Sequence, residues 1–147
     1  SYSFVESFSI FRKFPSTLKI DIKKTTILAN RYIDGVSFFI GSNGKLIKSE
    51  KKIKEIPLVF GNFINNEFLE LKKMIDISNL PYLDIDSIYY FESKRWDIKM
   101  KNGILIKLPN EKILIALKFA VDLLSDDKFK KIKIIDTRLN NQIILNE

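Results

Sequence analysis

Apolar and polar positions alternate in two early segments of the chain. Residues 7–14 alternate and predict a strand, and residues 17–24 predict a second with Leu18, Ile20 and Ile22 on one face. Pro15-Ser16 between them predicts a hairpin corner. Residues 25–32 continue extended or as a connector. Residues 36–40 and 45–48 predict another strand pair, with Ser42-Asn43-Gly44 supplying the positive φ that a tight turn needs. Residues 51–55 are a charged, exposed stretch. Residues 56–61 read as a short apolar loop, because Pro57 argues against a central strand.

The period then changes. Phe68, Leu69, Leu71 and Ile75 have helical spacing, predicting a helix over residues 66–77 with Asn66 as its cap. Residues 86–92, 96–100 and 104–108 predict three strands in an antiparallel meander, with Lys101-Asn102-Gly103 turning the last pair. A second helix is predicted over residues 111–124, burying Ile113, Leu114, Leu117, Ala120, Val121 and Leu124. Ser125, Asp126 and Asp127 end it. Residues 131–136 and 142–145 predict a final hairpin around Asn140-Asn141. The fold class is α+β, a mostly antiparallel sheet with two flanking helices.

Composition narrows the functions. The 147 residues suit one ordinary domain or two small ones, and 46% hydrophobic with 29% charged residues is a globular balance. No segment approaches the ~20 apolar residues of a membrane span. With neither an initiator Met nor a signal-like start, the chain reads as an excised soluble fragment, with any upstream anchor out of view. Lysine supplies nearly all of the net charge of +7, since Arg12, Arg31, Arg95 and Arg138 are the only arginines. Abundant Ile, Lys and Asn fit an AT-rich genome, so part of this basicity reflects codon usage. The absence of Cys and His removes thiol nucleophiles, imidazole bases and zinc sites of the usual kind.

Candidate chemistry is thin. Asp84, Asp86, Glu92 and Asp97 would serve as acid and base only if two met in a cleft, and nothing in the sequence places them so. Ser49/Lys51 and Ser93/Lys94 read as polar strand edges rather than nucleophile–base pairs. Lys45, Lys48, Lys51, Lys52 and Lys54, near Tyr32, Phe38 and Phe39, would be the place for nucleic acid. The lysines are chain-wide and no recognition motif accompanies them, so a solvated or headgroup-facing surface is the expectation. Trp96 is expected to be packing rather than an exposed anchor. A C-terminal hairpin commonly leaves an open edge that accepts a partner strand. The competing reading makes Arg138 an ordinary surface charge and Ile143 a core residue.

Several short motifs carry a resemblance. Phe4-Val5-Glu6 through Arg12-Lys13-Phe14-Pro15-Ser16-Thr17-Leu18-Lys19-Ile20-Asp21-Ile22 resembles the end of a POTRA domain with its Arg-x-aromatic-Pro corner. Arg95-Trp96-Asp97 through Asn102-Gly103-Ile104, a long helix and Ile135-Asp136-Thr137-Arg138-Leu139 resemble the β-domain of the FtsQ/DivIB cell-division family. Val36 to Gly44 fits a strand near that domain's start. Ile56-Pro57-Leu58-Val59-Phe60-Gly61 resembles its Leu-Pro-x-x-x-Gly segment in the α-proteobacterial form. Thr137 stands where Leu is usual, and the early POTRA strand and helices are missing. The resemblance implies an incomplete POTRA domain at residues 1–26 and a β-domain at 27–147.

The resemblance further implies a non-enzymatic divisome scaffold without cofactor, small-molecule substrate or nucleic acid. It would sit in the periplasm at the division septum, on a single-pass inner-membrane tether. It would bind FtsB and FtsL, adding a partner strand at its C-terminal edge. Arg138 would pair with a partner carboxylate, and Leu139 and Ile143 would give apolar contacts, with Asn140 in the same patch. Asp136 would hold the strand or turn. Lys94 and Arg95 form a second patch for an acidic helical partner. The alternatives are a POTRA-type module of outer-membrane assembly or secretion machinery and, further off, a basic nucleic-acid-binding protein.

Overall fold

The computed structural model describes residues 5–13, 17–139 and 144–146, with side chains over 24–139 and at 146. The chain forms two compact units, Ser1–Lys52 and Ile53–Glu147.

In the first unit β1 (Val5–Lys13) and β2 (Thr17–Lys24) pair antiparallel, Lys13 opposite Thr17. The expected corner at Pro15-Ser16 lies outside the described residues. A second sheet segment is the meander β3 (Ile27–Ile33), β4 (Val36–Gly41) and β5 (Leu46–Lys48). Residues 25–32, left between strand and connector by the pattern, thus contain most of a strand. Its turn is Asp34-Gly35, with φ of 49° and 78° between paired Ile33 and Val36. Positive φ at both turn positions matches the right-handed twist of a two-residue hairpin. The β4–β5 turn has Gly44 at φ 79°, and the Asn43 side chain accepts from the Lys45 amide at 3.0 Å. Ala29, Ile40 and Ile47 supply the buried apolar positions.

The second unit opens with β6 (Leu58–Phe60), pairing parallel with β7 (Ile85–Tyr90). The expected apolar loop is therefore part strand. Pro57 stands just ahead of it, where a missing N–H takes nothing from the ladder. Helix α1 (Asn65–Ser78) makes the crossover, because parallel neighbours cannot be joined by a tight turn. Its cap position is Ile64, with no side-chain bond, rather than Asn66. Adjacent Phe63 is buried against Trp96, so packing sets the entry of this helix. A short 3-10 turn (Tyr82–Asp84) leads into β7. β8 (Trp96–Met100) and β9 (Leu105–Lys107) complete the predicted meander, and Gly103 in the predicted turn has φ 94°.

Helix α2 (Ile113–Ser125) then crosses to β10 (Ile134–Asp136), which pairs parallel with β9. β10 pairs antiparallel with β11 (Ile144–Asn146). The predicted turn at Asn140-Asn141 lies outside the described residues. Strand order across this unit is β11-β10-β9-β8-β7-β6. The sheet is mixed, since both helix-bridged pairs are parallel, while its meander and final hairpin are antiparallel.

The two crossovers join parallel strands and step the same way across the sheet. β6 and β9 point the same way, since two antiparallel steps separate β7 from β9. Right-handed connections then place both helices on one face, and α1 packs on α2. Phe68, Leu71 and Ile75 of α1 and Ala116, Leu117 and Ala120 of α2 are buried. Ala116 falls outside the predicted stripe. It sits one turn from Ala120, and two small residues bring the helix backbone close to its neighbours. From the sheet, Val59, Ile88, Trp96, Ile98, Met100, Ile106 and Ile135 close the core.

Candidate functional site

Strand alternation sends a different set of residues to the face away from the helices. In register across the sheet, Phe60 pairs with Tyr89, Tyr89 with Asp97, Asp97 with Lys107, Lys107 with Asp136, and Asp136 with Ile144. From Phe60 to Asp136 the row therefore reads aromatic, aromatic, minus, plus, minus. The Phe60 and Tyr89 rings stack at 5.0 Å and 8°. Opposite charges on neighbouring strands of one face attract.

Arg95 and Arg138 flank this row. Arg95 Nη2 donates to Asp97 Oδ1 at 2.7 Å, Nε donates to the Leu108 carbonyl at 3.0 Å, and the guanidinium lies 5.0 Å from the Phe91 ring centroid. Asp97 is buried at 6% exposure, so removing that partner would leave a buried side chain without its ion pair. Arg95 is thus first a structural clamp, holding the start of β8 to the end of β9. Arg95→Ala is expected to cost about 2–3 kcal/mol, and Arg95→Lys to recover little, because a single ammonium cannot span both acceptors. Urea unfolding of the three proteins checks this, and full rescue by Lys would refute the two-acceptor account.

Arg138 Nε and Nη2 donate to Asp136 Oδ1 and Oδ2 at 2.8 and 2.6 Å, and the Arg138 amide donates to Oδ1 at 3.1 Å. Asp136 therefore holds the chain leaving β10. The Arg138 side chain is 39% exposed, and two of its five N–H groups are used, leaving three without a partner among the described residues. Asp97 also acts on Arg138, raising its already high pKa after the larger contribution of Asp136. The two arginine patches separated in sequence therefore belong to one electrostatic row.

Hydrogen bonding from Arg138 holds the Asp136 carboxyl below its ordinary pKa, against desolvation that acts the other way. A lowered folded pKa contributes stability that is present above the unfolded value, ~3.9, and lost as pH falls through the folded one. Thermal unfolding between pH 2 and 6 should fall more steeply for wild type than for Asp136→Asn. Parallel curves would show that Asp136 contributes no such linkage.

Leu139 follows at 53% exposure. Asn140 and Ile143 lie outside the described residues. Lys94 is exposed in the β7–β8 turn at φ 62°, its amide donating to the Phe91 carbonyl at 2.9 Å. β11 ends the strand order, and no strand pairs with its outer side among the described residues.

The other candidates disperse. Asp86 accepts from Ser87 Oγ at 3.0 Å on an exposed strand position, and Ser49 Oγ lies 2.8 Å from Ser37 Oγ. Trp96 is buried at 4% exposure among Phe63, Phe68 and Tyr90. No helix among the described residues is long and apolar enough to cross a membrane.

Comparison with known proteins gives the family. No curated protein matches the chain in sequence. Among solved structures, the major extracytoplasmic domain of the trans isomer of the cell division protein DivIB from Geobacillus stearothermophilus is similar at 16% identity and TM-score 0.49, covering 65% of this chain and 87% of that one. The family model "Cell division protein FtsQ/DivIB, C-terminal" matches residues 30–138. That span holds the row on the sheet face, both helices and the Ile56–Gly61 segment, and with it the chain belongs to the FtsQ/DivIB family of cell-division proteins.

Proposed function

We propose that this chain is a non-enzymatic, periplasmic scaffold of the division septum that binds FtsB and FtsL by strand addition along β11. A single-pass inner-membrane tether would precede it. Residues 1–26 would belong to a POTRA domain and residues 27–147 to the β-domain, a reading that the family match beginning at residue 30 supports for the second.

The observation that carries the reading is the position of β11. It ends the strand order and pairs on one side only among the described residues. Main-chain groups on such an edge accept a partner strand, and neighbouring side chains select it. Arg138 would give its remaining N–H groups to a partner carboxylate while keeping Asp136, and exposed Leu139 would give apolar contact. Asn140 and Ile143 complete the patch in the sequence. Lys94 adds charge beside Arg95, for an acidic helical segment on the same face.

Titration calorimetry with the extracytoplasmic FtsB–FtsL pair tests this. Arg138→Glu and Ile143→Pro are compared with wild type, after circular dichroism confirms that both remain folded. The reading expects both to lose most of the binding, about tenfold or more. Wild-type binding untouched by either variant would move the site elsewhere. No binding by wild type would overturn the scaffold reading.

A further inference from the structure

The opposite end of β10 carries a feature that the arginine row does not use. An open cavity of about 530 Å³ is lined by Asn102, Ile104, Lys130, Lys131, Ile132 and Lys133. It sits where three strands meet, since the Leu105 amide donates to the Lys133 carbonyl at 2.8 Å and the Lys133 amide to the Asn146 carbonyl at 2.6 Å. Three of its lining residues are lysines, and among the described residues none is acidic. Asn102 spends its side-chain oxygen on the Ile104 amide at 3.1 Å, which leaves its N–H groups for a ligand. Lys130 meets Asp127 at 3.3 Å, but both side chains are largely exposed, at 74% and 89%. Such a pair is worth little and exchanges readily. Lys99 and Lys101 are exposed on β8 and the turn after it, adding to the same sign of charge.

Register connects this cavity to the edge. Asn146 lies opposite Ile134, and Ile144 opposite Asp136. A strand added antiparallel to β11 runs in the direction of β10. Its first residues then lie beside Asn146 and Lys133, and its last beside Asp136 and Arg138. The antiparallel arrangement is the slightly more stable one. Whatever precedes the added strand is delivered to three lysines.

We infer that this lysine-lined cavity receives an acidic flank of the partner, two or more Asp or Glu residues immediately before the strand that adds to β11. The inference rests on the edge-strand reading above and assigns that partner's chemistry at a second place. Lysine ammonium groups around an open cavity suit carboxylates on a flexible segment, for which compact point charges demand no fixed orientation.

The test uses fluorescein-labelled octaglutamate in an anisotropy titration, and the FtsB extracytoplasmic segment in calorimetry. The cavity variant carries Lys130→Gln, Lys131→Gln and Lys133→Gln. The control carries Lys51→Gln, Lys52→Gln and Lys54→Gln, with the same change in net charge. The expected result is about a tenfold loss of octaglutamate affinity in the cavity variant and under about twofold in the control. FtsB affinity should fall about fivefold in the cavity variant, with a shallower salt dependence. Ile143→Pro should abolish FtsB binding and leave octaglutamate binding intact. Equal losses in both triple variants would mean diffuse charge and overturn the inference. Capture of phosphatidylglycerol vesicles through the three lysines, without octaglutamate binding, would overturn the peptide assignment. FtsB binding lost in Ile143→Pro but indifferent to the cavity variant would leave the edge reading standing and sink the inference alone. FtsB binding indifferent to Ile143→Pro would sink both.

Discussion

Replacing Trp96 with alanine is expected to cost about 3–5 kcal/mol of folding stability, the usual range for removing a large buried aromatic. The ring is the hub of an aromatic cluster. Its centroid lies 4.6 Å from Tyr90, 5.3 Å from Phe63 and 6.5 Å from Phe68. These neighbours come from β7, from the chain entering α1, and from α1 itself. Truncation would leave a void that none of them can fill without moving a whole element. Trp96→Phe should recover much of the loss, since an aromatic ring still meets Phe63 and Tyr90. Urea midpoints with an unchanged m-value would place the effect in the folded core. A loss below about 1 kcal/mol for Trp96→Ala would mean that the cluster is not the keystone of this unit.

The second large effect is expected at Gly61. It follows β6 at φ 116°, and a Cβ there would stand 2.5 Å from the Tyr90 carbonyl oxygen and 2.8 Å from the Tyr90 Cβ. The clash is with backbone, which cannot rotate away as a side-chain tip can. Gly61→Ala should therefore cost about 2–4 kcal/mol, from a disfavoured φ combined with a displaced strand end. Gly103 is the internal comparison. Its φ of 94° is also one that side chains avoid, but nothing stands within 4 Å of its Cβ position. Gly103→Ala should cost about 1 kcal/mol. The gap between the two variants in thermal unfolding, roughly 3–9 °C, measures the close approach of β6 to β7. Equal losses at both glycines would show that φ alone governs.

The same glycine shows what the sequence could and could not reveal. Its Pro-x-x-x-Gly spacing was visible as a motif, but its reason lies in a parallel pairing with residues some thirty positions on. No local pattern encodes that partner. A three-residue strand such as Leu58–Phe60 also offers too few positions for alternation to register. Where period and turn chemistry are local, pattern and structure agree. Trp96–Met100 was placed to the residue, and Gly103 and Gly44 adopt the positive φ their turns were expected to need. Asp34-Gly35 is an equally local hairpin signal, Asp-Gly between two apolar runs, that alternation alone does not show. The expected cap at Asn66 is absent because burial overrides propensity: α1 starts from Ile64 beside buried Phe63.

For the candidate site, residue types were legible and their company was not. Arg95 and Arg138 stood out as two of only four arginines in a lysine-rich chain. Each holds an aspartate two residues away, a local spacing, but that Asp97, Lys107 and Asp136 join them in one row depends on strand order. The parallel step from β9 to β10 across α2 creates that adjacency, and no spacing in the chain announces it. The lysine-lined cavity was hidden for the same reason, since Asn102 and Lys131 meet only once β10 lies beside β9.

The unequal standing of β8 and β11 within one sheet has a consequence for hydrogen exchange. β8 has a ladder on both sides and Trp96 and Ile98 sealed beneath it, whereas β11 is held by three residue pairs on one side. Backbone deuterons at Ile98 should leave only when the whole unit opens, while those of Ile144 to Asn146 should leave through local fraying. A captured partner strand would turn the fastest-exchanging rung of this sheet into an interior one. The exchange clock at the last strand would then slow selectively, reporting occupancy of the edge amide by amide while the clock at β8 keeps its rate.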